Sequence, residues 1–255
     1  MKKLTQIAAA AALTLAAVAS AHAAGRPTPA GAKNIIIVHD AFVDGSGWRV
    51  VHDILYHDGY HVAVVQNSMH SLQEDDAALD KELMAADGPA VLVGHGYGGA
   101  VITTGGDIKK VKALVYVAGY APDVAESVQQ LANSMPAEVN NLQASFDGFV
   151  NFNPANFGRD YAGDLSENRT NYMAASQVPT TVTALNGQSR GVAWRHIPSY
   201  GIIATDDRVV KPELQRWMYE RAGSKITEIK GSHAVYISQA EAVAKVIEEA
   251  ARAAK

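Results

Sequence analysis

The chain has 255 residues, no cysteine and a formal net charge of −4. This composition excludes disulfides and thiolate metal ligands, and it offers no basic excess for nucleic acid or an anionic membrane surface. Residues 1–23 open with Lys2 and Lys3, continue as an uncharged Ala/Leu-rich stretch through Val18 and close on Ala21-His22-Ala23, the pattern of a secretory signal peptide cleaved after Ala23. A membrane anchor is the rival reading, but the apolar stretch falls short of the roughly 20 residues a span needs. Cleavage removes two lysines and no acids, taking the charge from −4 to −6 over the remaining 232 residues. That length suits one α/β domain, residues 24–255, located in a periplasm or outside the cell. Without cysteine, an exported chain must be held together by packing alone.

After a Pro- and Gly-containing leader from Ala24 to Lys33, short apolar runs alternate with helical periods. Asn34–Val38 reads as a buried strand, Trp48–His57 as a helix, His61–Val65 as a strand and Ser71–Ala86 as an acid-rich helix. A strand at Ala90–Val93, a helix from Tyr97 and a strand at Val111–Val117 follow. The rhythm breaks after Pro122: residues 123–195 hold helical pieces, Val124–Met135 and Arg169–Gln177, around an aromatic, Asn-rich stretch from Phe146 to Tyr161. It resumes with a strand at Ser199–Thr205, a helix at Pro212–Ala222, a strand at Lys225–Ile229 and a helix from Val235 to Ala253. The fold class is therefore α/β, a doubly wound and mostly parallel sheet. The insertion at about 123–195 reads as a small cap over the carboxyl ends of the strands, where such sheets bind ligands. No internal repeat is visible.

Val91-Leu92-Val93-Gly94-His95-Gly96-Tyr97-Gly98-Gly99 has the layout of a nucleophile elbow, in which an apolar strand enters a tight Gly-x-Ser-x-Gly turn and then a helix. Here Gly96 stands where the serine belongs, so residue 96 has no side chain with which to attack a carbonyl. Two other segments follow strands and would reach the same rim of a parallel sheet: His39-Asp40-Ala41-Phe42, and the late pair Asp207 and His233.

On these residues the chain resembles the small esterases of the α/β-hydrolase fold, the branch that includes plant methylesterases and hydroxynitrile lyases. The resemblance runs through His39 to Trp48, Gln66 to Leu72, Gly94 to Thr103, Tyr116 to Pro122, Met173 to Pro179, Thr205 to Arg208 and Gly231-Ser232-His233. It implies that His233 stands at the base, Asp207, rather than its neighbour Asp206, at the orienting acid, and Gly96 at the nucleophile position. It further implies oxyanion-hole N–H donors at Tyr97 and at Ala41 or Phe42. Asp40 departs from the family pattern, which usually has glycine there.

Losing the serine of a triad costs on the order of a million-fold in turnover. A second negative charge ~4 Å from a developing oxyanion adds about 4 kcal/mol at an effective dielectric of about 20. Ordinary ester hydrolysis should be nearly absent. The His233–Asp207 dyad could still activate a water in the space left by the serine, or take a proton from a substrate. Asp40, if desolvated, would be a second acid or base with a raised pKa. His39 and His95 read as packing or hydrogen-bonding histidines. No metal is expected, because the spacing of His39, Asp40, His95 and His233 matches no ligand motif, and no cofactor is called for. Ser46 and Ser232 are poor substitute nucleophiles, since neither sits in an elbow.

Phe146, Phe149, Phe152, Phe157, Tyr161, Tyr172, Met173 and Trp194 would line an apolar chamber or simply form the cap's own core. A small apolar ester or ketone-like partner would suit such a chamber. The reading is a diverged hydrolase that binds such a ligand and retains the dyad without its nucleophile. The alternatives are a non-catalytic small-molecule binding protein and a serine esterase whose nucleophile was knocked out by engineering.

Overall fold

Five consecutive buried residues, Asn34–Val38, form strand β1 near the middle of the sheet. The computed structural model describes residues 27–145 and 147–254. The signal peptide expected at 1–23 and the aromatic Phe146 lie outside the described residues.

Strand β1 pairs in parallel with β2, His61–Val65, and with β3, Ala90–His95, with Asn34 opposite both His61 and Ala90. Strands β4 (Val111–Val117), β8 (Ser199–Ala204) and β9 (Lys225–Ile229) complete a six-stranded sheet in the order β2-β1-β3-β4-β8-β9. Every pairing in it is parallel. Strands β1 and β3 are buried at every residue, whereas the edge strands β2 and β9 carry exposed positions. That is why the central strands read as unbroken apolar runs and not as alternating patterns.

The order reverses at β1, so right-handed crossovers place helix α1 (Arg49–His57) on one face and α2 (Leu72–Ala85) and α3 (Gly98–Gly105) on the other. The C-terminal helix, Ala240–Ala253, packs on α1 and on the central strands. It is separate from a short helix at Val235–Ser238, so the single helix expected from Val235 to Ala253 is interrupted at Gln239. Strand β3 runs two residues further than expected, to His95, and so carries the sheet directly into the turn at Gly96. A side chain on Gly98 would meet the Val38 carbonyl at 2.3 Å, which lets β1 and the elbow approach closely.

Between β4 and β8 the chain covers the carboxyl ends of the strands. Its first helix, α4, spans Val128–Ser134 and starts later than the expected Val124 because Ser127 and Gln130 form a capping box. Residues 147–161 are more regular than expected. Strands β5 (Leu142–Ala144), β6 (Phe149–Phe152) and β7 (Thr180–Thr181) form a small antiparallel sheet. A helical turn at Phe157–Tyr161 and helix α5 (Glu167–Ala175) lie between β6 and β7. The cap is tied to the core by an antiparallel bridge between Phe42 and Val178.

Candidate active site

Four loops converge at the switch point between β1 and β3, where open parallel sheets bind ligands. The turn after β3 holds Gly96 at φ +50, a left-handed conformation that glycine adopts without a Cβ penalty. The loop after β1 supplies Asp40, the loop after β8 supplies Asp207 and the loop after β9 supplies His233. All three side chains are buried.

Asp207 accepts from the N–H groups of Val209 (2.8 Å) and Val210 (3.0 Å) and from Gln215 Nε2 (2.8 Å). Its Oδ2 also accepts from His233 Nδ1 at 2.7 Å. Asp206 is exposed, and Asp207 is the aspartate of the pair that meets the His233 ring. His233 Nε2 lies 3.0 Å from Asp40 Oδ2. With both ring nitrogens facing carboxylates, His233 must be an imidazolium to donate to both. Burial alone would lower its pKa, but Asp207 and Asp40 outweigh burial and raise it to about 10.

Asp40 fills the space a serine would use. A Cβ on Gly96 would lie 1.9 Å from Asp40 Oδ1 and 2.0 Å from its Cγ. Oδ1 accepts the Tyr97 N–H at 2.5 Å, and Oδ2 accepts the Tyr161 hydroxyl at 2.9 Å besides His233. Two expectations are corrected here. There is no serine-sized space for a water, because the carboxylate occupies it. Nor is the Asp40 pKa raised: burial pushes it up, but the hydrogen bond and charge of His233 and the Tyr97 N–H prevail and bring it down to about 2.

Two of the expected oxyanion donors are also engaged. Tyr97 N–H is taken by Asp40, and Phe42 N–H points to Thr180 Oγ1 at 3.4 Å, with Phe42 itself at φ +67. Ala41 lines the cavity beside them. Charge is thus already placed where an ester's oxyanion would develop.

His39 and His95 have structural roles. Asn67 N–H donates to His39 Nε2 at 3.1 Å, leaving Nδ1–H to donate to the Asp40 carbonyl at 2.8 Å. His95 Nε2 meets the His233 carbonyl at 2.8 Å, and burial with the nearby His233 charge lowers the His95 pKa to about 3, keeping it neutral. Asp40, His95 and His233 each offer a donor atom within 4.8 Å of the others; His39 is not part of this group. A metal would have to displace the proton that two carboxylates hold on His233, so the donor set favours the proton. Ser46 Oγ is bonded to exposed Asp44, and Ser232 Oγ to Asp164 at 2.5 Å; neither lines the cavity.

The cavity above this floor has a volume of about 410 Å³. Apolar residues of α4, Leu142, Phe152, Leu185 and Val210 line it, with Tyr120 and Arg208 at other walls. Most of the expected aromatic lining is elsewhere. Phe157 and Tyr161 are buried in the cap core and stack on each other at 4.6 Å. Tyr172 and Met173 border a separate cavity, Phe149 packs edge-on against His70, and Trp194 donates to the Pro122 carbonyl. Among the described residues of that set, only Phe152 lines the chamber.

The pattern of the alpha/beta hydrolase family matches residues 35–246. The chain belongs to this family. Norfluorocurarine synthase 2 from a Strychnos species is 25% identical over 253 residues, covering 85% of this chain and 94% of that relative. Three solved structures share the hydrolase fold. A pyrethroid hydrolase from Sphingobium faniae JZ-2 aligns with a TM-score of 0.72 at 22% identity, over 87% of this chain and 98% of its own. Polyneuridine aldehyde esterase gives 0.72 at 18% identity, over 86% and 98%. A variant of tomato methylketone synthase I, complexed with beta-ketoheptanoate, gives 0.74 at 17% identity, over 88% and 99%.

Within the site of this hydrolase-family chain the sequence reading missed three contacts. The Tyr161 hydroxyl reaches Asp40 from 121 residues away, Gln215 fixes Asp207, and Arg208 lines the chamber. A tyrosine in an irregular insertion carries no local signal of such a contact. Gln215 alone was open to inference, as a polar residue at a buried position of an amphipathic helix.

Proposed function

We propose that this hydrolase-fold protein carries out no acyl transfer through residue 96, and that it binds a small, largely apolar, carbonyl-bearing ligand beside a proton-transferring Asp40–His233 pair. The observation that carries the reading is the Asp40 carboxylate in the serine's place, bonded to the Tyr97 N–H and to His233. No nucleophile can stand on the elbow while Asp40 is there, and a substrate oxyanion would meet a carboxylate in its donor site. What the pair can do is move protons: His233 is an acid at neutral pH, and Asp40 is the adjacent acceptor. The reaction class that suits it is proton transfer at a carbon next to a carbonyl, with the carbonyl oxygen polarised by the imidazolium.

A second reading, a non-catalytic binding protein, draws support from the three hydrogen bonds that satisfy Asp40 within the protein. Two measurements test the proposal, and the second separates the readings. Short-chain aryl esters should be left intact by the native protein and cleaved by the Asp40→Gly, Gly96→Ser double variant. Exchange of the α-protons of benzylacetone in deuterated water should be accelerated by the native protein and fall to background in Asp40→Asn. Native ester cleavage would overturn the first statement. Absence of any accelerated exchange would leave the binding protein as the function.

A further inference from the structure

The charges around the chamber do not balance. Arg208 at its wall donates to Asp160 at 2.9 Å and lies 3.6 Å from Glu138, and Arg159 also binds Asp160. Those two guanidinium groups and two carboxylates cancel. The floor differs: Asp40 and Asp207 flank the single imidazolium of His233. A third carboxylate, Asp75, lies beneath Tyr97 and accepts its hydroxyl at 2.8 Å. It also accepts from the Ser68 and Met69 N–H groups and the Ser68 hydroxyl, all neutral. His39 and His95, the other histidines nearby, are kept neutral by burial. Asp40 and Asp207 thus share one buried cation, and Asp75 is a further buried carboxylate beneath the Tyr97 wall. The walls above them include Phe42, Tyr97, Tyr120 and Phe152, whose ring faces attract positive charge.

We infer that the chamber selects an organic cation, a small apolar body carrying an ammonium group that approaches Asp40 between the aromatic walls. The inference rests on the chamber being the ligand site and adds the ligand's charge. A neutral ligand would leave the excess negative field unanswered, and an anion would be repelled by it.

The test is calorimetric titration of the native protein at neutral pH with three probes of one shape: phenylpropylamine, which is an ammonium there, phenylpropanol and phenylpropanoate. The ammonium should bind tightest, about tenfold or more above the alcohol, and the carboxylate weakest. Equal binding of ammonium and alcohol, or tightest binding of the carboxylate, overturns the inference while leaving the chamber as a ligand site. No binding by any of the three overturns both. Asp40→Asn, which keeps the shape and removes the charge, should lose the preference for the ammonium over the alcohol; a retained preference would overturn the assignment to Asp40. If that variant does not fold, the native series decides.

Discussion

The Asp40 carboxylate and the missing side chain of Gly96 are two halves of one feature: a Cβ added at 96 would lie 2.0 Å from Asp40 Cγ. The two departures from the hydrolase pattern are sterically coupled, because a residue larger than glycine at 96 requires Asp40 to leave.

Coupling of this kind is measurable as non-additivity. Gly96→Ala in the native background should destabilise by about 1–3 kcal/mol through overpacking. In an Asp40→Gly background the same substitution should cost distinctly less. Urea unfolding of the four proteins gives the cycle, and additive costs would mean that Asp40 moves aside freely.

The Asp40–His233–Asp207 array also predicts the shape of stability against pH. His233 has its folded pKa raised from 6.5 to about 10, so its contribution is complete below 6.5 and is lost as pH rises through about 10. Asp40 is lowered from 3.8 to about 2, so its contribution is present above 3.8 and is lost as pH falls towards 2. The thermal midpoint should decline steadily from pH 7 to pH 10, and His233→Gln should flatten that limb. Nitrogen NMR of the imidazole should show His233 still doubly protonated at pH 8.

Tyr161→Phe removes a hydroxyl that donates to Asp40 at 2.9 Å and leaves the ring stacked on Phe157. The loss of a hydrogen bond to a buried carboxylate should cost about 1.5–3 kcal/mol. A chemical unfolding midpoint equal to that of the native protein would show that the hydroxyl contributes nothing there.

Asp76, on α2, behaves in the opposite sense. Partial burial, reinforced by Asp80 and Asp75, raises its pKa to about 8 against the pull of Arg190, and its Oδ1 is buried with no hydrogen-bond partner. Folding therefore favours its protonated form, and stability is lost as pH rises from 3.8 through about 8. Asp76→Asn should stabilise the protein at pH 8 by about 1–3 kcal/mol and make little difference at pH 4. Paired thermal melts at the two pH values check the sign.

The sequence by itself determined the parallel sheet, because Ile35–Val38, Val91–Val93 and Ala113–Val117 are continuous apolar runs that only burial on both faces explains. The elbow is legible in the same way, at the end of an apolar strand, whereas Asp207 and His233 were implied by the resemblance to the small esterases, and the structure brings their side chains to 2.7 Å. Boundaries in the cap were less legible. Leu142–Ala144 and Phe149–Phe152 pair across a turn into a strand ladder whose alternation is too short to stand out. Of the aromatic residues expected around the ligand, Phe157 and Tyr161 stack on each other in the cap, Tyr172 is exposed, and Phe149 and Trp194 pack on His70 and Pro122, far off in sequence. Only the tertiary structure decided the state of Asp40. Burial predicts a raised pKa, and the sequence contains nothing to oppose it; the opposing groups, His233, Tyr97 and Tyr161, lie 193, 57 and 121 residues away. Electrostatic sign depends on distances of about 3 Å, and distances between loops are set by the fold, so a residue type can be read from a sequence before its charge state can.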